Sequence, residues 1–186
     1  MKSLKTLYRF LIFLCVMLLT SCVKDVDFDQ SENILPTPTF ESNLIFSSLE
    51  ATNFINNTTQ QEVVVLTDTT RLEFINSDFF VDQLTKTNFT FQFTNSLDRS
   101  FNIDFVFVND NNEQRYLAQV QVLEGQPESP TIIQSNFLIE EPDLTLFEEA
   151  SKLIYRITLP VTTNPLETSN LGVLKLESKA TFYFEL

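Results

Sequence analysis

The sequence Asn88-Phe89-Thr90-Phe91-Gln92-Phe93-Thr94 places three phenylalanines at alternate positions, with Thr and Gln between them. Because successive side chains of a strand point to opposite faces, this alternation predicts a strand with one buried face and one face toward water. Residues 101–108 (FNIDFVFV) repeat the pattern, and their last residues are apolar on both faces. The polar residues 95–100 (NSLDRS) predict a turn, so we expect the two strands to form a hairpin.

The same alternation predicts strands along most of the remaining chain. A third strand over 116–123 follows a turn at 109–112 (NDNN), because Asn and Asp tolerate the left-handed backbone of tight turns. Other strands are predicted near 40–46, 62–67, 70–75, 131–138, 152–161 and 172–186. In the last of these, one face carries Leu174, Leu176, Ala180, Phe182, Phe184 and Leu186, and the other carries Lys175, Glu177, Lys179, Thr181 and Glu185.

Two short helices are predicted between the strands. Each begins at a residue type typical of helix N-termini, Ser77 in one case and Pro142-Asp143 in the other. The apolar residues that these helices would bury are Phe80, Val81 and Leu84 in the first and Leu144, Phe147 and Ala150 in the second.

These elements predict an all-β domain with minor α content over residues 39–186. We expect an antiparallel β-sandwich, loosely Ig-like, with eight or nine strands and two short helices. A half-barrel built from the same strands is the alternative. A domain of about 150 residues buries nearly 70% of its unfolded surface, which is enough for a core without disulfides.

Composition excludes most catalytic chemistries. The chain has no His, no Trp and two Gly, and its 25 acids outnumber its 12 bases. Ser-His-Asp and Cys-His catalysis, ordinary zinc and copper sites and Gly-rich phosphate loops therefore lack their residues, and an acidic chain is a poor nucleic-acid binder. We expect a protein that is not an enzyme and has no cofactor.

Paired carboxylates are the hydrolytic chemistry that this composition still permits. The candidates are Glu140 with Glu141 and Glu148 with Glu149. Adjacent acids on a helix or loop point away from each other, so a solvated acidic face is the favoured interpretation of both pairs.

The N-terminus has the anatomy of a signal peptide over residues 1–21. Lys2, Lys5 and Arg9 precede the apolar run 10–19 (FLIFLCVMLL). Ten apolar residues are too few to cross a bilayer core of about 30 Å, which needs about 20, but they match the apolar region of a signal peptide.

The end of this segment, Leu19-Thr20-Ser21-Cys22, resembles the lipobox of bacterial lipoproteins. The resemblance implies that the chain is cut before Cys22, whose thiol carries a diacylglycerol, with Leu19, Thr20 and Ser21 in the specificity positions. Cys15 would leave with the signal peptide, so the mature chain would have one Cys and no intrachain disulfide. Lipidation gives that unpaired Cys a role, and acyl chains would fix the protein to a membrane.

Residues 22–38 read as an acidic tether that follows the lipidated Cys. Lys24, Asp25, Asp27 and Asp29 resemble the surface-export signal of Bacteroidota lipoproteins, although Val26 and Phe28 interrupt the acids. An ordinary acidic linker accounts for the same residues. Without residues 1–21 the chain carries 9 bases and 25 acids, a formal charge of −16.

We therefore expect a cell-envelope lipoprotein anchored in the outer membrane, facing either the periplasm or the cell surface, that serves as an interaction or structural module. Its expected partners are the membrane, through the anchor, and an unidentified protein or glycan. The alternative is an accessory glycan- or calcium-binding module of a nutrient-uptake system.

Three weaker motifs bear on these alternatives. Residues 109–113 (NDNNE) have closely spaced oxygen ligands, as calcium sites require, but they lack the glycine and the distal Glu of an EF-hand loop, and a hairpin turn is the favoured interpretation of the same residues. Asp68-Thr69-Thr70 resembles the acceptor of Bacteroidota O-glycosylation, which would place a sugar on Thr69. The aromatic residues whose phase leaves them available to a glycan are Phe79, Tyr155 and Tyr183.

Overall fold

A computed structural model describes residues 37–72, 74–75 and 77–186. In these ranges the chain forms eight strands, a 3-10 helix and two short α-helices. In chain order they are β1 (Thr39–Glu50), the 3-10 helix (Ala51–Phe54), β2 (Val65–Arg71), α1 (Asp78–Gln83), β3 (Leu84–Asn95), β4 (Phe101–Val108), β5 (Gln114–Val122), β6 (Thr131–Ile139), α2 (Asp143–Phe147), β7 (Lys152–Thr158) and β8 (Val173–Phe184).

The strands form two antiparallel sheets that pack face to face. The first sheet has the order β1-β8-β3-β6 and the second has the order β2-β7-β4-β5. The predicted β-sandwich is therefore confirmed, and the half-barrel alternative is wrong, because the strands separate into two four-stranded sheets within the described residues.

Phenylalanine rings from the two sheets meet in the core. Phe91 of β3 and Phe105 of β4 are fully buried, and their rings stack with centroids 3.7 Å apart. Phe89 and Phe107 pack next to them at 4.9 Å, and Phe147 of α2 contacts both rings. The alternation read from the sequence thus assigns the buried face of both strands correctly. Burying each of these rings contributes roughly 1.5–3 kcal/mol.

The predicted hairpin between β3 and β4 is wrong, because the two strands lie in different sheets. Residues 95–100 instead carry the chain across the sandwich. Of these six residues, the four at 95, 96, 97 and 99 are buried, unlike those of a solvent-exposed turn. Alternation fixes which face of each strand is buried, but two strands with buried faces can share a sheet or oppose each other across the core. The next connection, between β4 and β5, is a hairpin.

Both glycines of the chain pack against this crossing. Gly125 donates its N–H to Leu97 O at 2.9 Å, and a Cβ at this position would lie 1.9 Å from Asn95 O. Gly172 has φ +118°, and a Cβ there would lie 2.3 Å from Ser96 O. Two separate segments of backbone therefore approach residues 95–97 more closely than any side chain permits.

Several predicted boundaries differ from the structure. In place of the two strands predicted at 62–67 and 70–75, the structure has one strand, β2, which ends at Arg71. Leu72 and Ile75 follow it and are buried. Strand β7 ends at Thr158, just before Leu159 and Pro160, because Pro cannot extend a hydrogen-bonded ladder. Strand β8 ends at Phe184, and Leu186 is 52% exposed.

The predicted helices exist but bury fewer residues than expected. In α1, Phe80 is buried whereas Val81 is 42% exposed, and Leu84 already belongs to β3. Ser77 precedes α1 without capping it, because its hydroxyl donates to Phe74 O at 3.0 Å. The second helix, α2, buries Leu144 and Phe147 as predicted, and Ala150 is buried just beyond its end.

The stacked pair Phe91–Phe105 predicts a contrast between the two faces of β3. Phe91→Ala and Phe105→Ala should each cost about 3–5 kcal/mol of unfolding free energy, because each leaves a cavity in the core. Thr90→Ala should cost under about 1 kcal/mol, since Thr90 lies on the outer face and donates to Asn136 Oδ1 near solvent. Urea unfolding measures both effects. A greater loss from Thr90→Ala would contradict the packing.

Candidate interaction site

The residues predicted to anchor and export the protein lie outside the described residues. They are Leu19, Thr20, Ser21 and Cys22 of the lipobox and Lys24, Asp25, Asp27 and Asp29 of the tether. Their roles stay predictions. The remaining candidate residues lie in the sandwich, where their surroundings can be described.

Thr69 lies at an edge of the second sheet. It is exposed in the middle of β2, and its cross-strand partner is Ile154 of β7. The backbone N–H of Thr69 donates to Asp68 Oδ1 at 2.8 Å, and Asp68 Oδ2 accepts a hydrogen bond from Tyr155 Oη at 3.1 Å. The Asp-Thr pair is therefore locally ordered and open to solvent. Glycosylation of Thr69 stays a prediction.

The turn at 109–113 uses its oxygen atoms to close the hairpin between β4 and β5. Asn109 Oδ1 accepts from the backbone N–H of Asn111 at 3.0 Å and of Glu113 at 2.9 Å, and Asn109 Nδ2 donates to Glu113 Oε2 at 2.8 Å. Asn112 adopts φ 62°, as a tight turn requires. Across 37–72, 74–75 and 77–186, no group of three or more His, Cys, Asp or Glu side chains is arranged to hold a metal ion.

The candidate carboxylates near α2 contact different partners. Glu141 accepts from Thr145 Oγ1 at 3.0 Å, and Glu149 forms an ion pair with Arg115 Nε at 2.8 Å. Burial, with a smaller contribution from the negative charge of Glu141, raises the pKa of Glu148. None of the three surface cavities described below is lined by Glu140, Glu141, Glu148 or Glu149.

The three aromatic candidates have different surroundings. Tyr155 faces inward and is half-buried between the sheets, so the prediction that it is available to a glycan is wrong. Burial, and then the nearby charge of Asp68, raises the pKa of its phenol. Tyr183 lies on the outer face of the first sheet with the ammonium group of Lys86 over its ring, 4.8 Å from the centroid. Phe79 is 54% exposed and belongs to an apolar groove.

We call this groove the phenylalanine groove. It has a volume of about 330 Å³ and lies where β1 begins and β8 ends, beside α1. It is lined almost entirely by apolar atoms of Pro38, Thr39, Phe40, Phe74, Ser77, Phe79, Phe80 and Phe184. An apolar concavity of this kind binds apolar groups, because water leaves both surfaces on contact.

Ring contacts hold the phenylalanine groove in shape. Phe80 is buried and packs against Phe182 and Phe184 with centroids 4.9 and 5.3 Å apart. Phe79 leans on Phe184 at 5.2 Å, and Phe40 stacks on Phe182 at 6.1 Å. The floor of the groove is therefore part of the core, whereas Phe40 and Phe79 remain 51% and 54% exposed.

The sequence identified Phe79 as available but missed the groove. Phe40, Phe74 and Phe184 are each at least 34 residues from the next in the sequence. No local pattern shows that the first and last strands pair. Each of these rings also fits the pattern of a core residue.

A polar cleft of about 450 Å³ lies on the outer face of the second sheet. Its side chains include Asn102, Asp104, Gln119, Gln121 and Thr158, and Gln119 Nε2 donates to Asp104 Oδ1 at 2.8 Å. Such amides and carboxylates provide hydrogen-bond donors and acceptors to a hydroxyl-rich ligand.

A third cavity of about 250 Å³ lies beside the crossing between the sheets. Arg99 in its wall is buried and forms an ion pair with Glu62, with Nη2 and Oε2 3.2 Å apart. Arg99 also donates to Pro160 O, and Glu62 accepts from the backbone N–H of Leu166 at 2.9 Å. These contacts join loops to the crossing, so the role of the pair is structural.

Comparisons with known proteins give no family. No protein-family model matches the sequence, and no curated protein matches it. Similar solved structures include VP2 of infectious bursal disease virus in a subviral particle, with 8% identity, a TM-score of 0.49 and coverage of 78% of this chain and 33% of that one. Another is a candidate secreted protein from Parabacteroides distasonis ATCC 8503, with 15% identity, a TM-score of 0.43 and coverage of 63% and 38%.

The chain thus spans about a third of the length of these two proteins. Such similarities extend to neither activity nor partner. As for membrane crossing, no helix among the described residues is both long enough and apolar enough to span a bilayer. What the structure defines is a β-sandwich domain with an apolar groove at one end and a polar cleft on one face.

The phenylalanine groove predicts binding of an apolar probe. Phe79→Ser should weaken the binding of N-phenyl-1-naphthylamine about tenfold, because part of the apolar wall is lost. The dye's fluorescence during titration measures this. Phe46→Ser is the matched control, since Phe46 is 75% exposed and does not line the groove. An equal loss in the two variants would mean that the dye binds elsewhere.

Proposed function

We propose that this protein is a non-enzymatic lipoprotein of the cell envelope, held in the outer membrane through Cys22, with its β-sandwich acting as an interaction module. The observation that carries the proposal is the sequence Leu19-Thr20-Ser21-Cys22 directly after a basic segment and a ten-residue apolar run. Small residues before a Cys at this position resemble a lipobox. After removal of residues 1–21 no second Cys remains to form a disulfide with Cys22, and lipidation gives this unpaired Cys a role.

The non-enzymatic part of the proposal is supported by the residues available for chemistry. The chain has no His, and the single Cys after the signal segment is the anchor itself. The carboxylates that the sequence left as candidates contact Thr145 and Arg115 rather than converging on a cavity described above. Ionisable groups at active sites converge on the position of a substrate, which these do not.

The interaction role is supported by the phenylalanine groove. Phe40 and Phe79 keep more than half of their surface exposed in a wall of apolar atoms, although the rings behind them are buried. Exposed aromatic clusters of this kind are typical of contact sites. The groove includes Pro38, the last residue of the tether, and Thr39, the first residue of β1, so its occupant would bind near the point where the tether joins the domain.

A second candidate function, an accessory glycan-binding module, is favoured by the polar cleft of the second sheet. Asn102, Asp104 and Gln121 line it with planar hydrogen-bonding groups. It contains no aromatic platform among its lining residues, which is why we rank it second. Binding of neutral oligosaccharides that is lost on Asn102→Ala would favour this function. The turn at 109–113 gives no support to calcium binding as the role of such a module.

The anchor predicts a single site of lipid attachment. Cys22→Ala should abolish labelling of the protein by an alkyne analogue of palmitate, because no acceptor thiol remains at the cleavage site. Cys15→Ala should label like the wild type, since Cys15 lies in the segment expected to be removed. In-gel detection of the labelled protein measures both. Undiminished labelling of Cys22→Ala would contradict the lipid anchor.

The tether predicts the side of the membrane on which the domain lies. Replacing Lys24, Asp25, Asp27 and Asp29 by Ala should leave lipidation intact but protect the protein from protease added to intact cells. The acids have the same sign as the membrane surface, so a sorting role requires a receptor that reads them. Wild-type protein should be digested under these conditions.

The matched control replaces Gln30, Ser31 and Asn33 by Ala in the same tether. This variant should be digested like the wild type. Protection of all three proteins would place the domain in the periplasm, and digestion of all three would mean that export does not depend on the four charged residues.

A further inference from the structure

The sandwich has four edge strands, and three of them show features that prevent pairing with another chain. Strand β1 has a register shift between Asn43 and Phe46 and carries the ion pair Glu41–Lys179. Strand β2 carries Asp68 and Arg71. Strand β5 carries an ion-paired Arg115 and has a register shift opposite β4. Bulges and charges of this kind keep sheet edges from associating.

Strand β6, the edge of the first sheet, has none of these features. Its residues Thr131–Ile139 (TIIQSNFLI) include no charge, no Pro and no Gly. All nine pair with β3 in one continuous register, and β3 is the one neighbour of β6 in the described sheet. One row of backbone N–H and C=O groups along β6 therefore faces away from the sheet, ready for another strand.

The sequence of β6 is complementary to itself when read in the opposite direction. Around Ser135, antiparallel pairing of two copies would place Ile132 opposite Leu138, Ile133 opposite Phe137, and Gln134 opposite Asn136. Within residues 132–138, apolar residues thus meet apolar residues on both faces of the strand, and an amide meets an amide on the outer face; at the ends Thr131 would lie opposite Ile139. Ile132 and Leu138 are 65% and 53% exposed in the single chain.

This complementarity holds in one register. A shift that moves the pairing axis to Gln134 or Asn136 would put an exposed apolar side chain opposite an amide. A shift to a position between two residues would pair outward with inward side chains and turn the partner's core face to solvent. The match around Ser135 therefore indicates a second copy of the same chain as the occupant of this edge.

We propose that β6 pairs with β6 of a second copy around a two-fold axis through Ser135. The first sheet of one copy and the first sheet of the other then form one continuous eight-stranded sheet. The pairing covers Ile132 and Leu138 and extends the core past the half-buried Ile133 and Phe137. It is an isologous contact, in which the same surface of both subunits is used. It does not depend on the lipid anchor proposed above.

Charge at the ends of β6 opposes the pairing. Glu128 precedes the strand, and Glu140 and Glu141 follow it, so antiparallel pairing brings acids of the two copies near each other. Salt screens such repulsion over about 10 Å at 0.1 M. The dimer should therefore become tighter as ionic strength rises from 20 to 300 mM, on the order of threefold or more.

A cross-link at the axis tests the pairing in intact cells, with or without the anchor. Opposite residues of an antiparallel pair have Cα atoms about 4.5–5.5 Å apart, within reach of a disulfide. Ser135→Cys in the full chain should give a disulfide-linked homodimer on mild oxidation. Wild-type protein, which retains Cys22, measures the background, and Gln119→Cys on the edge strand β5 is the matched control. Both controls should remain monomeric on the gel.

A charge on the outer face tests the same contact in solution. Ile132→Lys should weaken dimerisation of the detergent-solubilised protein at least tenfold in sedimentation experiments, with the urea midpoint of the monomer unchanged. Leu171→Lys, at a residue that is 78% exposed outside β6, should dimerise like the wild type. A monomeric wild type, absence of the Ser135→Cys cross-link, or its formation with a different protein would overturn the proposal.

Discussion

Residues 95–100 carry the chain from the first sheet to the second, and the rest of the sandwich depends on how this crossing is held. Asn95 stabilises it from within, since its Nδ2 donates to Arg99 O and to Leu123 O, both at 2.7 Å, and its Oδ1 accepts from Leu97 N–H at 3.0 Å. These three hydrogen bonds use both N–H groups and the oxygen of the buried Asn95 amide, so they fix the side chain in one position.

The crossing also organises the loops at that end of the molecule. Ser96 pairs with Val173 through its N–H at 2.9 Å and its hydroxyl, so the start of β8 is set by the same segment. The ion pair Arg99–Glu62 connects it to the chain before β2. Removing one member of such a buried pair costs about 3–5 kcal/mol, because the other charge is left without a partner. The two glycines complete this packing.

The sequence predicted the faces of the strands better than their arrangement. The alternation in 88–94 and 101–108 assigned the buried rings correctly, because period two follows from strand geometry alone. It could not show that Phe91 and Phe105 lie in opposing sheets, since that depends on the buried bonds of Asn95. The sequence predicted β6 as a strand, but only the strand order shows that β6 lies at an edge of its sheet. The phenylalanine groove depends likewise on the pairing of β1 with β8.

The surface of the domain offers contacts of different chemistry in different places. The phenylalanine groove lies where β1 begins, whereas β6 is at the opposite edge of the first sheet from β1. A partner in the groove and a second copy at β6 would therefore bind without competing. The net negative charge of the chain, with 25 acids against 12 bases, opposes non-specific association between copies.

The proposed role in the cell envelope requires that Cys22 is the anchored first residue of the mature protein. The intact mass of the protein extracted from membranes tests this directly, together with the mass of its N-terminal peptide. We expect a chain that begins at Cys22 and carries a diacylglyceryl group on the thiol, with or without a further acyl chain on the amino group. A chain that begins elsewhere, or an unmodified Cys22, would contradict it.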